Sequence, residues 1–458
     1  MTDRARTRYA IVGTGARAEM FAQALVRDHA DVAELVALAD VNPRRMAAHN
    51  AWLAELGAAP VPAYPAAEFT AMLAKERVDA VLVTTVDHTH DEYIVAALDA
   101  GCDVVTEKPM TTNEGRCRRI LEAVRRTGRD VSVAFNYRYN PLHEAVKRAL
   151  AGGEIGTVGS VHFEWLLDVR HGADYFRRWH REKANSGGLM VHKASHHFDL
   201  VNWWLDATPV EVYAKGRLFF YGDAGAGAAE GYARDYERAH GSPAAADDPF
   251  ALDLAGQPKL KALYLDAEAA DGYQRDRNVF APGVTIEDDM AVLASYSTGA
   301  TMSYHLTAYA PWEGYRVMFN GSRGRLELEV VENGYVSPAA ARTVKGSAGS
   351  GGSDGSAGSG GSAVLHGAEA AAEFGHARLT VHPYWEPPRE VPVPGYARDG
   401  HGGADARMTA VLFGGETDPM GRGATARDGA LALLTGLAAN ASFATGRPVR
   451  VAGLLDLT

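Results

Sequence analysis

Ile11-Val12-Gly13-Thr14-Gly15-Ala16-Arg17-Ala18 is an apolar run that breaks into G-x-G-x-x-A and continues into a helical pattern. Gly13 permits a tight turn, Gly15 lets backbone approach a pyrophosphate with no Cβ in the way, and Ala18 is small enough for the helix to pack on the strand. The helix start presents unpaired N–H groups and the positive end of its dipole, so Thr14, Ala16 and Arg17 belong to the same cradle. The next apolar run, Leu35–Ala39, ends in Asp40, 27 positions after Gly13. A carboxylate there accepts both ribose hydroxyls of an adenosine and repels a 2′-phosphate. The cofactor read from this stretch is NAD in preference to NADP, a preference that Arg44 and Arg45 would soften.

Outward from the cradle, residues 1–136 alternate short apolar runs with amphipathic helical patterns. The strand candidates are Tyr9–Val12, Leu35–Ala39, Ala80–Thr84, Asp103–Thr106 and Val131–Phe135; helix candidates include Ala16–Ala30, Glu92–Asp99 and Glu114–Thr127. This alternation predicts a Rossmann-type α/β domain, a doubly wound parallel sheet with helices on both faces. Strands buried on both faces should read as unbroken apolar runs, as these do. From 137 to 458 the texture changes. Val158–Leu167, Met290–Leu306 and Gly324–Val331 alternate with period two, with turn signals at Ser297–Gly299 and Asn320–Gly324. A C-terminal α+β domain with a large open, mostly antiparallel sheet follows. Gly222–Gly283, rich in Ala, Gly and Asp, reads as a partly irregular insertion. Gly346–Ser362 carries almost nothing that could be buried and reads as a flexible surface loop between two strands. A strong helical pattern over Ala424–Ala441 closes the chain.

Composition bounds the function. The 458 residues suffice for two or three domains, and a mean hydropathy of −0.19 suits a soluble protein. No apolar run approaches the ~20 residues of a membrane helix, and the start MTDRARTR lacks the apolar core of a signal peptide. No membrane partner is expected, and the location expected is the cytoplasm. Cys102 and Cys117 cannot build a disulfide framework and have no metal-ligand spacing around them, so no metal is expected. A net charge of −11 argues against nucleic acid. It leaves room for a local basic pocket, and Arg170 to Lys183 hold five Lys or Arg side chains.

Two further stretches carry chemistry. Glu107-Lys108-Pro109 ends a strand, at the carboxyl edge where open α/β sheets bind ligands. Gly187-Gly188-Leu189-Met190-Val191-His192-Lys193-Ala194-Ser195-His196-His197-Phe198-Asp199 follows later. If it is helical, His192, His196 and Asp199 share one face.

Through these residues the chain resembles the Gfo/Idh/MocA family of sugar and inositol oxidoreductases. The resemblance runs through GTGARA, TEKP, NYRYNP over Asn136–Pro141, the GG…HxxD segment, Glu313-Gly314-Tyr315 and GSRGRLE. It implies a Rossmann domain followed by an open-sheet domain that pairs copies, hence a homodimer or homotetramer. It also implies that Lys108 is the active-site lysine and His196 the acid–base histidine. A neutral imidazole suits proton removal from an alcohol near neutral pH, and an ammonium beside the oxygen stabilises the developing alkoxide. Asp199 would orient His196 or touch substrate. Asp87, His88 and His90 fall where the family approaches the nicotinamide half, as cofactor or substrate candidates, and Thr85 and Glu107 are further cofactor-binding candidates. Tyr137 and Arg138 sit at the domain junction as pocket candidates. One departure stands out: the family commonly carries Asp four residues before the histidine, and here that position is His192.

Arg170–Arg181 adds Arg177, Trp179 and His180 as substrate candidates, since aromatic faces suit a sugar ring and clustered arginines suit an anionic group. The leading reading is therefore an NAD-dependent dehydrogenase of a secondary hydroxyl on a sugar, one that can carry negative charge. Asp399-Gly400-His401-Gly402-Gly403-Ala404-Asp405 supports an alternative. It resembles the Gly/His loop of NAD-dependent glycosidases on this fold, in which transient oxidation, elimination, water addition and re-reduction cleave a glycoside. His401 would then be the acid–base group. A non-catalytic dinucleotide or sugar sensor is the third reading; it predicts loss of Lys108 or His196, and both are present.

Overall fold

In the computed structural model, residues 6–344, 375–393 and 400–457 are described. The Gly346–Ser362 segment lies outside them. The first domain is built on six parallel strands, β1 (Thr7–Val12), β2 (Ala33–Asp40), β3 (Ala63–Pro65), β4 (Ala80–Val83), β5 (Asp103–Thr106) and β6 (Val131–Val133), in the order β3-β2-β1-β4-β5-β6. The central strands are the most apolar. Ile11, Val12, Val81, Leu82 and Val83 are wholly buried because helices cover both faces. The order reverses between β1 and β4, and that switch point opens a crevice at the strands' carboxyl ends. Gly13, Asp40, Thr84, Glu107 and Ala134 all lie just past or at those ends.

The second sheet contains β7 (Val158–Asp168), β8 (Pro209–Arg217), β9 (Asp289–Tyr296), β10 (Thr301–Ala310), β11 (Gly314–Gly321), β12 (Gly324–Val331), β13 (His376–Pro383) and β14 (Arg389–Glu390). With a late strand, Val449–Arg450, it has nine members among the described residues, and of these only β7 and β10 pair in parallel. The period-two signal is its one-sided burial. Alternate residues of β12 (Leu326, Leu328, Val330) face the core. The run Met290–Leu306 resolves into two antiparallel strands about its turn.

The last helix spans Ala426–Thr445, two residues later in its start and four longer in its end than the pattern Ala424–Ala441 suggests. Thr425 and Asp428 form a reciprocal capping box, which fixes the start, and Gly446 at φ 66° ends it. Gly436 costs this helix about 1 kcal/mol of propensity relative to Ala. A Cβ there would sit 2.4 Å from the Met190 carbonyl oxygen, so the glycine lets the helix press on the backbone that carries His192.

The partition at 136/137 does not anticipate one return of the chain. Ala424–Thr425 pairs antiparallel with β6, and the helix Gly400–Leu412 buries Ala404 and Met408 in the first domain's core. The Gly222–Gly283 insertion is irregular as expected, with short helices at Ala226–Ala229, Pro258–Leu260 and Glu268–Asp271. It folds back over the first domain, where Asn42 Nδ2 donates to the Ala267 carbonyl at 2.9 Å.

Candidate active site

The cradle has the local geometry its sequence requires. Gly13 stands at φ 89°, and a Cβ on it would lie 2.6 Å from Thr85 N and 2.7 Å from the Thr84 carbonyl carbon. No other residue fits between the ends of β1 and β4. Asp40 Oδ2 accepts from Thr14 Oγ1 at 2.9 Å and Thr14 N at 2.5 Å, and Asp40 Oδ1 accepts from Asn42 N at 2.7 Å. The side chain that approaches Asp40 is Arg45, at 3.6 Å, not Arg44, which is exposed on the first turn of the helix Pro43–Glu55. Arg17 reaches Glu107 at 2.5 Å and Asp405 at 3.2 Å. Burial opposes its charge, but Asp405 and Glu107 outweigh it and hold the guanidinium above its ordinary pKa. These residues fit a dinucleotide: the Gly13–Arg17 backbone for the pyrophosphate, Asp40 for the adenosine ribose, and Thr85 beside the turn.

At the end of β5, Lys108 precedes Pro109 across a cis peptide bond. Its Nζ lies 3.1 Å from His192 Nε2 and donates to the His192 carbonyl at 3.3 Å. His192 Nδ1 lies 2.6 Å from Asp87 Oδ2. Asp87, His192 and Lys108 thus form a line. Burial, then the charges of Lys108 and Arg178, depress the His192 pKa well below its usual value, which keeps the imidazole neutral. A neutral ring donates from Nδ1 to Asp87 and accepts at Nε2 from the ammonium. Burial also pushes Lys108 down to about 8, against the pull of Asp87 and Glu107. Burial raises Asp87, and Lys108 and Arg178 oppose that rise. Asp87 thus places a carboxylate behind His192, the position at which the family pattern commonly carries Asp.

His196 stacks on Tyr137, with ring centroids 4.2 Å apart and planes 14° apart, and meets the edge of Phe135 at 5.8 Å. Tyr137 accepts from Lys193 Nζ at 2.9 Å. Trp179 stacks on His180 at 3.5 Å, and His180 meets the His192 ring edge-on at 4.2 Å. Lys108, His192, Asp87, Trp179 and His180 are thus brought into one cluster, and Tyr137 lies against His196. His90 has a different place from the one expected: its Nδ1 lies 2.9 Å from the Pro109 carbonyl oxygen and its Nε2 3.1 Å from that of Thr85. It ties the loops after β4 and β5 together.

Three substrate candidates are spent elsewhere. Arg177 is fully buried and donates to the carbonyls of Phe250 and Ala341 at 2.9 and 3.3 Å. Arg138 and Asp199 pair with each other through two hydrogen bonds of 2.8 and 2.6 Å, and Arg138 has Asp428 at 3.5 Å. The shared face of His192, His196 and Asp199 is interrupted because Ala194 N bonds to the Leu189 carbonyl five residues back, shifting the register before the helix Ser195–Leu205. His401 stands in the first turn of Gly400–Leu412 rather than on a loop, and its side chain lies outside the described residues.

From the arginine-rich segment it is Arg178, next to Arg177, whose charge acts on Lys108 and His192. It pairs with Asp174 at 3.1 Å, lies over Tyr175, and shares Asp174 with the buried Arg275, whose contacts are 2.7 and 3.0 Å. The arginine cluster signalled Arg178; nothing in the aperiodic insertion signalled Arg275.

Comparison with known proteins agrees with this architecture. Residues 7–135 match an oxidoreductase family with an NAD-binding Rossmann fold, and residues 147–451 match that family's C-terminal α/β domain. A Bacillus subtilis protein named as oxidoreductase YteT is 38% identical over 69% of this chain and 75% of its own length. An inositol 2-dehydrogenase of Rubrobacter xylanophilus is 30% identical over 47% of this chain and 56% of its own length. The WlbA dehydrogenase of Bordetella pertussis, solved with NADH and UDP-GlcNAcA, superposes with a TM-score of 0.60 at 19% identity, covering 97% of this chain and 99% of that one. An aldose-aldose oxidoreductase of Caulobacter crescentus gives 0.60 at 15% identity, covering 97% of this chain and all of its own. The chain belongs to the Gfo/Idh/MocA oxidoreductase family, with an NAD-binding Rossmann domain followed by the family's C-terminal α/β domain.

Proposed function

We propose that the protein transfers hydride between a secondary hydroxyl of a sugar or sugar derivative and NAD. The observation that carries this is the Asp87–His192–Lys108 line at the carboxyl edge of the cofactor sheet, in a chain where His196 follows His192 by four residues. Bound NAD supplies the hydride acceptor. Asp87 fixes the His192 tautomer by accepting from Nδ1, and His192 holds the Lys108 ammonium through Nε2 and its carbonyl. Lys108 donates to the hydroxyl oxygen and stabilises the alkoxide as it forms. His196, held flat against Tyr137, receives the hydroxyl proton. Trp179 offers the sugar ring an aromatic face.

Charge favours an anionic sugar. Arg178 and Arg275 share one carboxylate, Asp174, so that triad carries one net positive charge that an anionic substituent would balance. The WlbA relative was solved with a sugar nucleotide of this kind. We further propose that the protein acts in the cytoplasm, where the buried thiols of Cys102 and Cys117 stay reduced. Copies of the chain pair through the outer face of the nine-stranded sheet, where Leu293 is 58% exposed.

The test is absorbance at the reduced-nicotinamide band with NAD and a panel of neutral sugars, uronates and aryl glycosides. NADH accumulation with a free sugar supports the proposal, and a higher kcat/KM for a uronate than for its neutral parent supports the anionic class. Aglycone release that needs NAD without NADH accumulation would replace the dehydrogenase with the glycosidase and bring His401 into the chemistry.

A further inference from the structure

The insertion between β8 and β9 places a phenol on the glycine-rich loop. Ala16 N donates to Tyr264 Oη at 3.0 Å, and a Cβ built on Gly15 would meet the same oxygen at 3.4 Å. The space that glycine leaves open above this backbone is thus filled by a side-chain oxygen 248 residues away in sequence. The contact belongs to a larger seam. The Tyr264 ring receives the Arg45 and Arg275 guanidiniums at 5.8 and 5.7 Å, and Tyr273 receives Arg45 at 5.8 Å. Arg45 also donates to the Leu263 carbonyl at 3.2 Å and pairs with Asp271 at 2.5 Å, while remaining near Asp40. Leu252, Leu254 and Leu260 pack beneath with Ala16, and Lys259 pairs with Glu19.

We infer that Tyr264 is an intramolecular competitor for the cofactor's pyrophosphate and so sets the affinity for NAD. An amide N–H makes one strong hydrogen bond. A phosphate oxygen bonded to Ala16 N would have to stand where the phenol oxygen stands. The same segment holds Arg45, which lies against the carboxylate that receives the adenosine ribose, so one piece of chain contests both ends of the adenosine diphosphate half. Residues 258–273 must leave the loop for NAD to seat, and the hydroxyl is the part that opposes it directly. This inference rests on the NAD-binding domain and is independent of the sugar chemistry proposed above.

The experiment is calorimetric titration of the full-length chain with NAD, without sugar, comparing wild type with Tyr264→Phe. The variant keeps the ring and its cation contacts and removes one hydrogen bond. Such a bond shifts an equilibrium by roughly two- to tenfold, so Tyr264→Phe is expected to bind NAD two- to tenfold more tightly, with faster association in stopped-flow NADH fluorescence. Equal or weaker binding overturns the inference, because the hydroxyl would then be a bystander or a phosphate donor. Hydrogen exchange of wild type gives a second readout independent of any variant. Amides of 258–273 should lose protection when NAD is added; a gain in protection would mean that the segment clasps the cofactor, and the competitor role falls.

Discussion

Replacing Asp87 with Asn should move the alkaline limit of activity to lower pH. Lys108 must be an ammonium to stabilise the alkoxide, and burial already brings its pKa down to about 8. Asp87 works against that depression. The imidazole between them is held by contacts of 3.1 and 2.6 Å, which puts ammonium and carboxylate roughly 8 Å apart by ordinary ring and hydrogen-bond dimensions. At an effective dielectric of about 20, unit charges at that range attract by about 2 kcal/mol, or about 1.5 pK units. An amide at position 87 keeps a hydrogen-bond acceptor for His192 and removes the charge. The sign is downward: losing a neighbouring anion makes the lysine easier to deprotonate. In wild type, kcat/KM for sugar oxidation should fall as pH rises through about 8. In Asp87→Asn the fall should begin about 1.5 units lower, leaving the variant nearly normal at the acid end and roughly fifteenfold slower at pH about 8. Circular dichroism and NAD affinity serve as controls for fold and cofactor binding. An alkaline limb that stays in place, or moves up, would refute the assignment of that limb to Lys108.

Lys108→Met should lower kcat by about 10²–10³-fold, the cost of losing one donor to the developing oxyanion, while calorimetry finds NAD affinity within about twofold of wild type. Asp199→Ala leaves the Arg138 guanidinium buried with the more distant Asp428 at 3.5 Å and the Gly421 carbonyl at 3.4 Å; the loss should be about 3–5 kcal/mol, read as a lower urea midpoint, and an unchanged midpoint would show that the pair adds little. Gly13→Ala places a Cβ 2.6 Å from Thr85 N at a φ of 89°. NAD binding should weaken at least about tenfold from backbone strain alone, and a variant that binds normally would mean that the turn relaxes at no cost.

Where sequence and structure agree, the determinants are local. Gly13, Gly15 and Asp40 are fixed by the requirements of one strand–turn–helix unit and the next strand's end, so they are legible in order. Lys108 is legible for the same reason, since a strand terminus dictates where its side chain starts. Period-two alternation identified β12 and marked Met290–Leu306 as β, because one-sided burial writes itself into each strand, and the structure divides that run into two strands about the turn signal at Ser297–Gly299. Arg178 and Arg177 differ by one position, and only the end of the helix Val169–Arg177 decides which of them points into the core. The neighbouring pair Arg44 and Arg45 is separated in the same way by a helix's first turn.

The sequence by itself determined the cofactor, the family and the order of the two folds, and it singled out Lys108 and the histidines as candidates, because each rests on a short segment with its own geometric demand. Tertiary structure alone decided who meets whom. It turned Arg138 and Asp199 toward each other, brought Asp87 behind His192 across 105 positions of chain, and laid Tyr264 on Ala16 from 248 positions away. Such pairings follow from how whole layers pack, and from a desolvated charge's need for whichever partner the packing brings within reach. No periodicity or spacing in one chain encodes that choice.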